Sequence, residues 1–214
     1  MKKIYFIILI ALLVFLAIFV FNKINKPKTS ANTPNETPNS QNSLPNENQK
    51  IQEVPLSKAG ERVIKKPFGI KVSPNNSPIS PERFSGYHTG VDFEIFSNEE
   101  NVDVEIFAIC SGKLLVKRWA SGYGGVLVQS CELENQAVTV IYGHIQLSSI
   151  QQKIGDYINK EDKLAILGAA FSYDTDGERK HLHLGIHKGA DINILGYVQT
   201  QSELKDWIDF QGIK

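Results

Sequence analysis

The chain of 214 residues has only two cysteines and no formal net charge. Two thiolates are too few for a four-cysteine zinc staple, and neither Cys110 nor Cys131 has a histidine close in sequence, so no thiol nucleophile with its base is signalled. Other hydrolase and nucleotide-binding signatures are missing as well. There is no His-Glu-x-x-His helix, no Gly-x-Ser-x-Gly elbow and no glycine loop followed by Lys and Ser or Thr. The zero net charge hides an uneven spread: residues 1–60 carry seven Lys and three Glu, leaving sixteen basic against twenty acidic residues in 61–214. A domain with an acidic excess repels a phosphate backbone, which excludes nucleic acid as a partner.

What the N-terminus does have is an apolar run from Ile4 to Phe21 directly behind Lys2 and Lys3. At 1.5 Å rise per residue, about eighteen residues is near the minimum for crossing a hydrocarbon layer of roughly 30 Å. The lysines stay inside, which puts the C-terminus outside. Because Ile18-Phe19-Val20-Phe21-Asn22 offers no small-x-small cleavage site, residues 1–21 read as an uncleaved signal anchor. Residues 22–60, rich in Asn, Pro and Ser, hold little to bury and read as a disordered tether with a reach of roughly 35 Å. The expected product is a membrane-anchored protein whose domain, residues 61–214, is extracytoplasmic, in the cell wall or periplasm.

From Phe68 onward, short runs rich in Val, Ile, Phe and Tyr alternate with Gly, Asn, Asp and Pro every 8 to 12 residues or so. This pattern predicts a mainly β, antiparallel fold. Expected strands are Gly90–Phe96, Glu105–Ile109, Gly112–Trp119, Gly125–Cys131, Ala137–His144, Lys163–Gly168 and His181–His187, with a hairpin turn at Gly122-Tyr123-Gly124-Gly125. Short helical pieces are expected over Leu147–Gln152 and Gln201–Ile208, the second capped by Ser202. Cys110 and Cys131 fall in successive strand-like segments, and an oxidising exterior permits pairing, which spacing alone does not decide.

Four of the five histidines fall into three clusters: His88-Thr89-Gly90-Val91-Asp92, Tyr142-Gly143-His144 and His181-Leu182-His183. On extended chain, His181 and His183 share a face while Leu182, Leu184 and Ile186 share the other, and the same parity groups His88, Gly90 and Asp92. Imidazoles and a carboxylate on rigid strands suit Zn²⁺, whose catalytic sites use three protein ligands and keep one position for water. His187 lies one pair beyond its cluster and reads as packing. Spacing does not decide which of His181 and His183 binds metal.

These three motifs, in this order, resemble the LytM/lysostaphin-type zinc metallopeptidases that cut peptidoglycan peptides. The segments Ala108-Ile109-Cys110-Ser111-Gly112-Lys113, Gly122-Tyr123-Gly124-Gly125 and Lys153-Ile154-Gly155-Asp156-Tyr157-Ile158 follow the family's pattern too, so the likeness runs from about Phe68 to His187. The resemblance implies an antiparallel β-sandwich, or barrel-sandwich hybrid, holding one Zn²⁺ per chain. It implies His88, Asp92 and His183 as zinc ligands, and His144 and His181 as catalytic histidines. The substrate implied is a peptidoglycan peptide. A non-hydrolytic module that activates a partner hydrolase is the alternative, and retention of all five residues argues against it. Two departures touch the substrate groove: Gly185 stands where the family often has Glu, and Asp174–Lys180 is charged. The tail beyond Gly189 is expected to pack over the core, and oligomeric state has no signal in the sequence.

Overall fold

The computed structural model describes residues 54–213. The expected membrane anchor, residues 1–21, lies outside the described residues, as does the expected tether up to residue 53. Among the described residues no helix is long and apolar enough to cross a membrane.

The described chain is built from strands and short 3-10 turns. In chain order the strands are β1 (Lys71–Val72), β2 (Gly86–His88), β3 (Gly90–Glu94), β4 (Glu105–Phe107), β5 (Gly112–Ala120), β6 (Gly124–Leu133), β7 (Gln136–Gly143), β8 (Tyr157–Ile158), β9 (Lys163–Ile166), β10 (His181–Lys188) and β11 (Tyr197–Val198). A six-stranded sheet runs β3-β10-β7-β6-β5-β8, a three-stranded sheet runs β1-β2-β11, and β4 pairs with β9. Every pairing is antiparallel. All seven strands expected from the sequence are present, with ends shifted by at most two residues. The four unexpected strands, β1, β2, β8 and β11, are two or three residues long, too short to show a period.

Alternation along the strands gives the sheet two unlike faces. Leu182, Leu184 and Ile186 of β10 join Val91 and Phe93 of β3, Val140 and Tyr142 of β7, and Ile106, Leu164 and Ala165 of the β4–β9 ribbon in one core. Burial of each large side chain stabilises the fold by about 1.5–3 kcal/mol. Val126, Val128 and Ile141 look the other way and pack with Tyr123 and Trp207 in a smaller cluster beside the histidines. Tyr142 of the second motif belongs to the main core: its hydroxyl accepts from the Ile109 N–H at 3.0 Å and donates to Gln129 at 3.3 Å.

Cys110 and Cys131 form a disulfide, with Cα atoms 5.9 Å apart. It staples the segment before β5 to β6.

Three expectations need correction. Residues 54–60 were assigned to the tether, but Val54, Leu56 and Ala59 are buried in the main core, Leu56 bridges Ile106, and the Phe107 N–H donates to the Pro55 carbonyl at 2.8 Å. The two helical pieces are 3-10 turns, Leu147–Ser149 and Gln201–Asp206. The second is capped at Thr200, not at Ser202: the Glu203 carboxylate accepts from both the N–H and the hydroxyl of Thr200 at 2.7 Å.

Candidate metal centre

The ladder between β3 and β10 pairs His181 with Glu94, His183 with Asp92 and Gly185 with Gly90. These three rungs share one face of the sheet. The two glycines have a steric reason: a Cβ on Gly90 would run into the Leu184 carbonyl and lie 2.9 Å from the His183 ring, and one on Gly185 would lie 3.3 Å from His183 Nε2. The bare Gly90–Gly185 rung is therefore the floor on which the His183 imidazole rests. A branched residue in either place would push that ring off the sheet.

His88 arrives from a different sheet. The segment from His88 to Asp92 is not one strand as expected, because the chain leaves β2 at His88 and enters β3 at Gly90. Thr89, at the break, is tied to the tail: its hydroxyl donates to the Leu195 carbonyl at 2.6 Å and its N–H to the Gly196 carbonyl at 3.1 Å. The break still delivers His88 to Asp92. His88 Nε2 lies 3.0 Å from His183 Nδ1 and 3.3 Å from Asp92 Oδ1, and His183 Nδ1 lies 3.2 Å from Asp92 Oδ1. One ligand atom from each of His88, Asp92 and His183 falls within a 4.8 Å group, and all three residues are buried.

This donor set fits a tetrahedral ion. Ligands at about 2.0–2.1 Å from a tetrahedral Zn²⁺ stand roughly 3.3 Å from one another, close to the spacings found. The outer ring nitrogens are also committed as such a site requires. His88 Nδ1 meets the Pro67 carbonyl at 3.3 Å, which can only accept, so its proton sits there and Nε2 keeps a lone pair for the metal. His183 Nε2 lies 3.3 Å from the Tyr123 hydroxyl. Burial pulls His183 down to about 4 despite its hydrogen bond to Asp92, so it is neutral at physiological pH. For Asp92, burial works against ionisation, but the His88 and His181 rings beside it prevail and hold the carboxyl well below its ordinary range.

His144 and His181 stand beside this group with ring centroids 4.2 Å apart. His181 Nδ1 donates to the Arg179 carbonyl at 2.8 Å, and its Nε2 lies 3.4 Å from Asp92 Oδ2. His144 follows the last residue of β7 in a left-handed conformation, φ 61°. That conformation is uncommon for a residue with a side chain and turns the ring out of the strand direction. Burial first, then the neighbouring His181, keeps His144 well below the usual histidine range and therefore neutral. His187 lies apart, its ring edge-on to Trp207 at 4.9 Å.

The group opens into a cleft of about 300 Å³ whose lining includes Asp92, His144, His181 and His183. The tail beyond Gly189 supplies one wall, from Ile194 to Gln199, and so does more than cover the core. Sequence reasoning missed the polar groups around Asp92. Arg179 Nη2 reaches Asp92 Oδ2 at 3.0 Å, and Lys66 Nζ lies 3.8 Å from the same oxygen while donating to Glu82 at 3.2 Å and to the Tyr197 hydroxyl at 2.6 Å. The charged run Asp174–Lys180 was the available signal. Asp176 and Glu178 pair with Arg83, and Lys180 donates to the carbonyls of Glu99 and Val102.

Among known proteins, residues 86–194 match the model of the family described as Peptidase family M23. That span contains His88, Asp92, His144, His181 and His183. Endolysin 2638A of Staphylococcus phage 2638A is 30% identical over 119 residues, which cover 56% of this chain and 23% of the endolysin. The chain thus spans about a quarter of the length of that curated relative. Two solved structures resemble the fold. The catalytic domain of the antimicrobial peptidase lysostaphin from Staphylococcus simulans aligns with a TM-score of 0.48 at 18% identity, covering 71% of this chain and 90% of the domain. A zinc-containing peptidase from Vibrio cholerae aligns with a TM-score of 0.45 at 22% identity, covering 65% of this chain and 40% of its own.

Proposed function

The chain belongs to Peptidase family M23, and on that footing we propose that it is a membrane-anchored zinc metalloendopeptidase that hydrolyses amide bonds in peptidoglycan peptides during cell-wall remodelling. The observation that carries this reading is the convergence of His88, Asp92 and His183 beside a cleft whose lining also includes His144 and His181. An endolysin among the relatives supports a wall substrate. In this reading residues 1–21 anchor the protein, the residues up to 53 tether it, and the domain works on the extracytoplasmic side.

His88, His183 and Asp92 would hold the ion, through His88 Nε2, His183 Nδ1 and Asp92 Oδ1. When bound, zinc supplies Lewis-acid polarisation of the scissile carbonyl and makes a water acidic enough to attack near neutral pH. His181, with Nδ1 fixed on the Arg179 carbonyl, accepts the proton of the attacking water at Nε2 and passes it to the leaving amine. His144, kept neutral by burial, donates an N–H toward the carbonyl oxygen as it gains charge. The cleft walls around Tyr123 and Tyr197 align the peptide.

The test is zinc content together with cleavage of purified peptidoglycan by the full-length chain, with a chelator control. About one zinc per chain and chelator-sensitive release of new amines is the expected result. Tight zinc binding without cleavage of several wall chemotypes would assign the chain to a regulatory or binding role instead.

A further inference from the structure

Asp92 is gripped at both oxygens. Oδ1 faces the ligand atoms of His88 and His183, while Oδ2 accepts from Arg179 Nη2 at 3.0 Å. Arg179 is itself clamped, its Nε and Nη2 both bonded to the Glu94 carboxylate at 2.7–3.1 Å. Glu94 sits two residues after Asp92 on β3 and faces His181 across the ladder. One planar fork therefore spans Glu94 and Asp92 in a fixed geometry, which a lysine ammonium has no means to copy. The arrangement is poorly suited to stability alone: the side chain is 15% exposed, and Nη1 is buried without a hydrogen-bond partner. A buried donor without a partner works against folding. Two other groups near Oδ2 stand farther off than Arg179: His181 Nε2 at 3.4 Å, and Lys66 Nζ at 3.8 Å, which is held mainly by Glu82 and Tyr197.

We infer that Arg179 is a positioning residue: by occupying Asp92 Oδ2 it restricts this carboxylate to ligation through Oδ1 and so keeps one coordination position open toward the cleft. A carboxylate is able to bind a metal through one oxygen or two. With Oδ2 released, Asp92 is free to rotate and offer both, taking up the position that water needs. The inference rests on His88, Asp92 and His183 being the ligand set. It gives the charged run before His181 a task at the metal, where the sequence alone suggested only an altered groove.

The experiment loads the full-length chain with Co²⁺ and records its visible spectrum, whose intensity falls as coordination rises above four. Zinc affinity is measured in parallel by competition with a chromophoric chelator. Arg179→Ala is expected to weaken the Co²⁺ bands and to lower zinc affinity by about 10–100-fold. Arg179→Lys, which keeps the charge but not the fork, is expected to behave like Arg179→Ala. Glu94→Gln, which loosens the clamp, is expected to shift the spectrum in the same direction and carries the test if Arg179→Ala does not fold. Wild-type spectra and zinc affinity in folded Arg179→Lys or Glu94→Gln overturn the inference while leaving the ligand set standing. Failure of the wild-type chain to bind one Co²⁺ overturns the ligand set itself.

Discussion

At the scale of single residues, the two histidines of His181-Leu182-His183 are given different work by their neighbours. His183 points Nδ1 into the group formed with His88 and Asp92, whereas His181 spends Nδ1 on a backbone carbonyl and lies beside Asp92 Oδ2. His181→Ala is therefore expected to keep its zinc and to lose about 10²–10⁴-fold in cleavage, the usual contribution of a positioned acid–base group. His183→Ala is expected to lose both. Metal analysis beside a peptidoglycan-release assay checks this, and near-normal hydrolysis by His181→Ala would show the roles to be misassigned. Gly90→Ala makes a steric prediction. The added methyl meets the Leu184 carbonyl and the His183 ring, so destabilisation of about 1–3 kcal/mol is expected in denaturant titration, with weakened zinc binding. Strand parity paired His181 with His183 and grouped His88 with Asp92, whereas His144 and the division into ligands and catalytic histidines were legible only through the family resemblance. Arg179, Glu94 and Lys66 were not legible, because their meeting at Asp92 depends on how separate segments pack, and charge in a sequence reads first as solvated surface.

At the scale of elements, strand positions were legible wherever a run was long enough to alternate. The entry into the domain was not. Val54, Leu56 and Ala59 are three apolar residues scattered in a polar stretch and give no period, yet Leu56 is fully buried against the β4–β9 ribbon. Leu56→Ala is expected to cost about 2–5 kcal/mol by chemical denaturation, and a chain that begins at residue 61 to lose more. The same segment is pinned by Arg62, which reaches both oxygens of Glu99 at 2.6 and 2.9 Å. Those bonds hold the Glu99 carboxyl below its ordinary value. A depressed carboxyl stabilises the fold above its unfolded value of about 4.3, and the contribution is lost as pH falls through the folded value. Glu99→Gln is thus expected to be less stable than wild type at pH 7, on the order of 1–3 kcal/mol, with the gap closing below about pH 4. Urea titrations at pH 7 and pH 3 measure both ends.

At the scale of the whole molecule, the domain has an acidic excess and a cleft, no helix among the described residues is long and apolar enough to cross a membrane, and the proposed attachment is the apolar run Ile4 to Phe21. On the proposed topology, with Lys2 and Lys3 inside, the domain would lie outside. In that proposal the intervening polar stretch, residues 22–53, would hold the cleft within roughly 30 Å of the lipid. The anchor would then restrict where hydrolysis occurs and take no part in the chemistry. Two outcomes follow from it. Fractionated cells are expected to hold the full-length chain in the membrane, with the domain open to added protease only from outside. Deleting residues 2–21 and expressing the remainder is expected to yield a soluble chain that binds zinc and releases amines from purified peptidoglycan at an unchanged rate, because the residues proposed to bind zinc and to line the cleft fall between Lys66 and Gln199. A processed, soluble form in wild-type cells would instead make the N-terminus a cleaved signal and remove the spatial restriction.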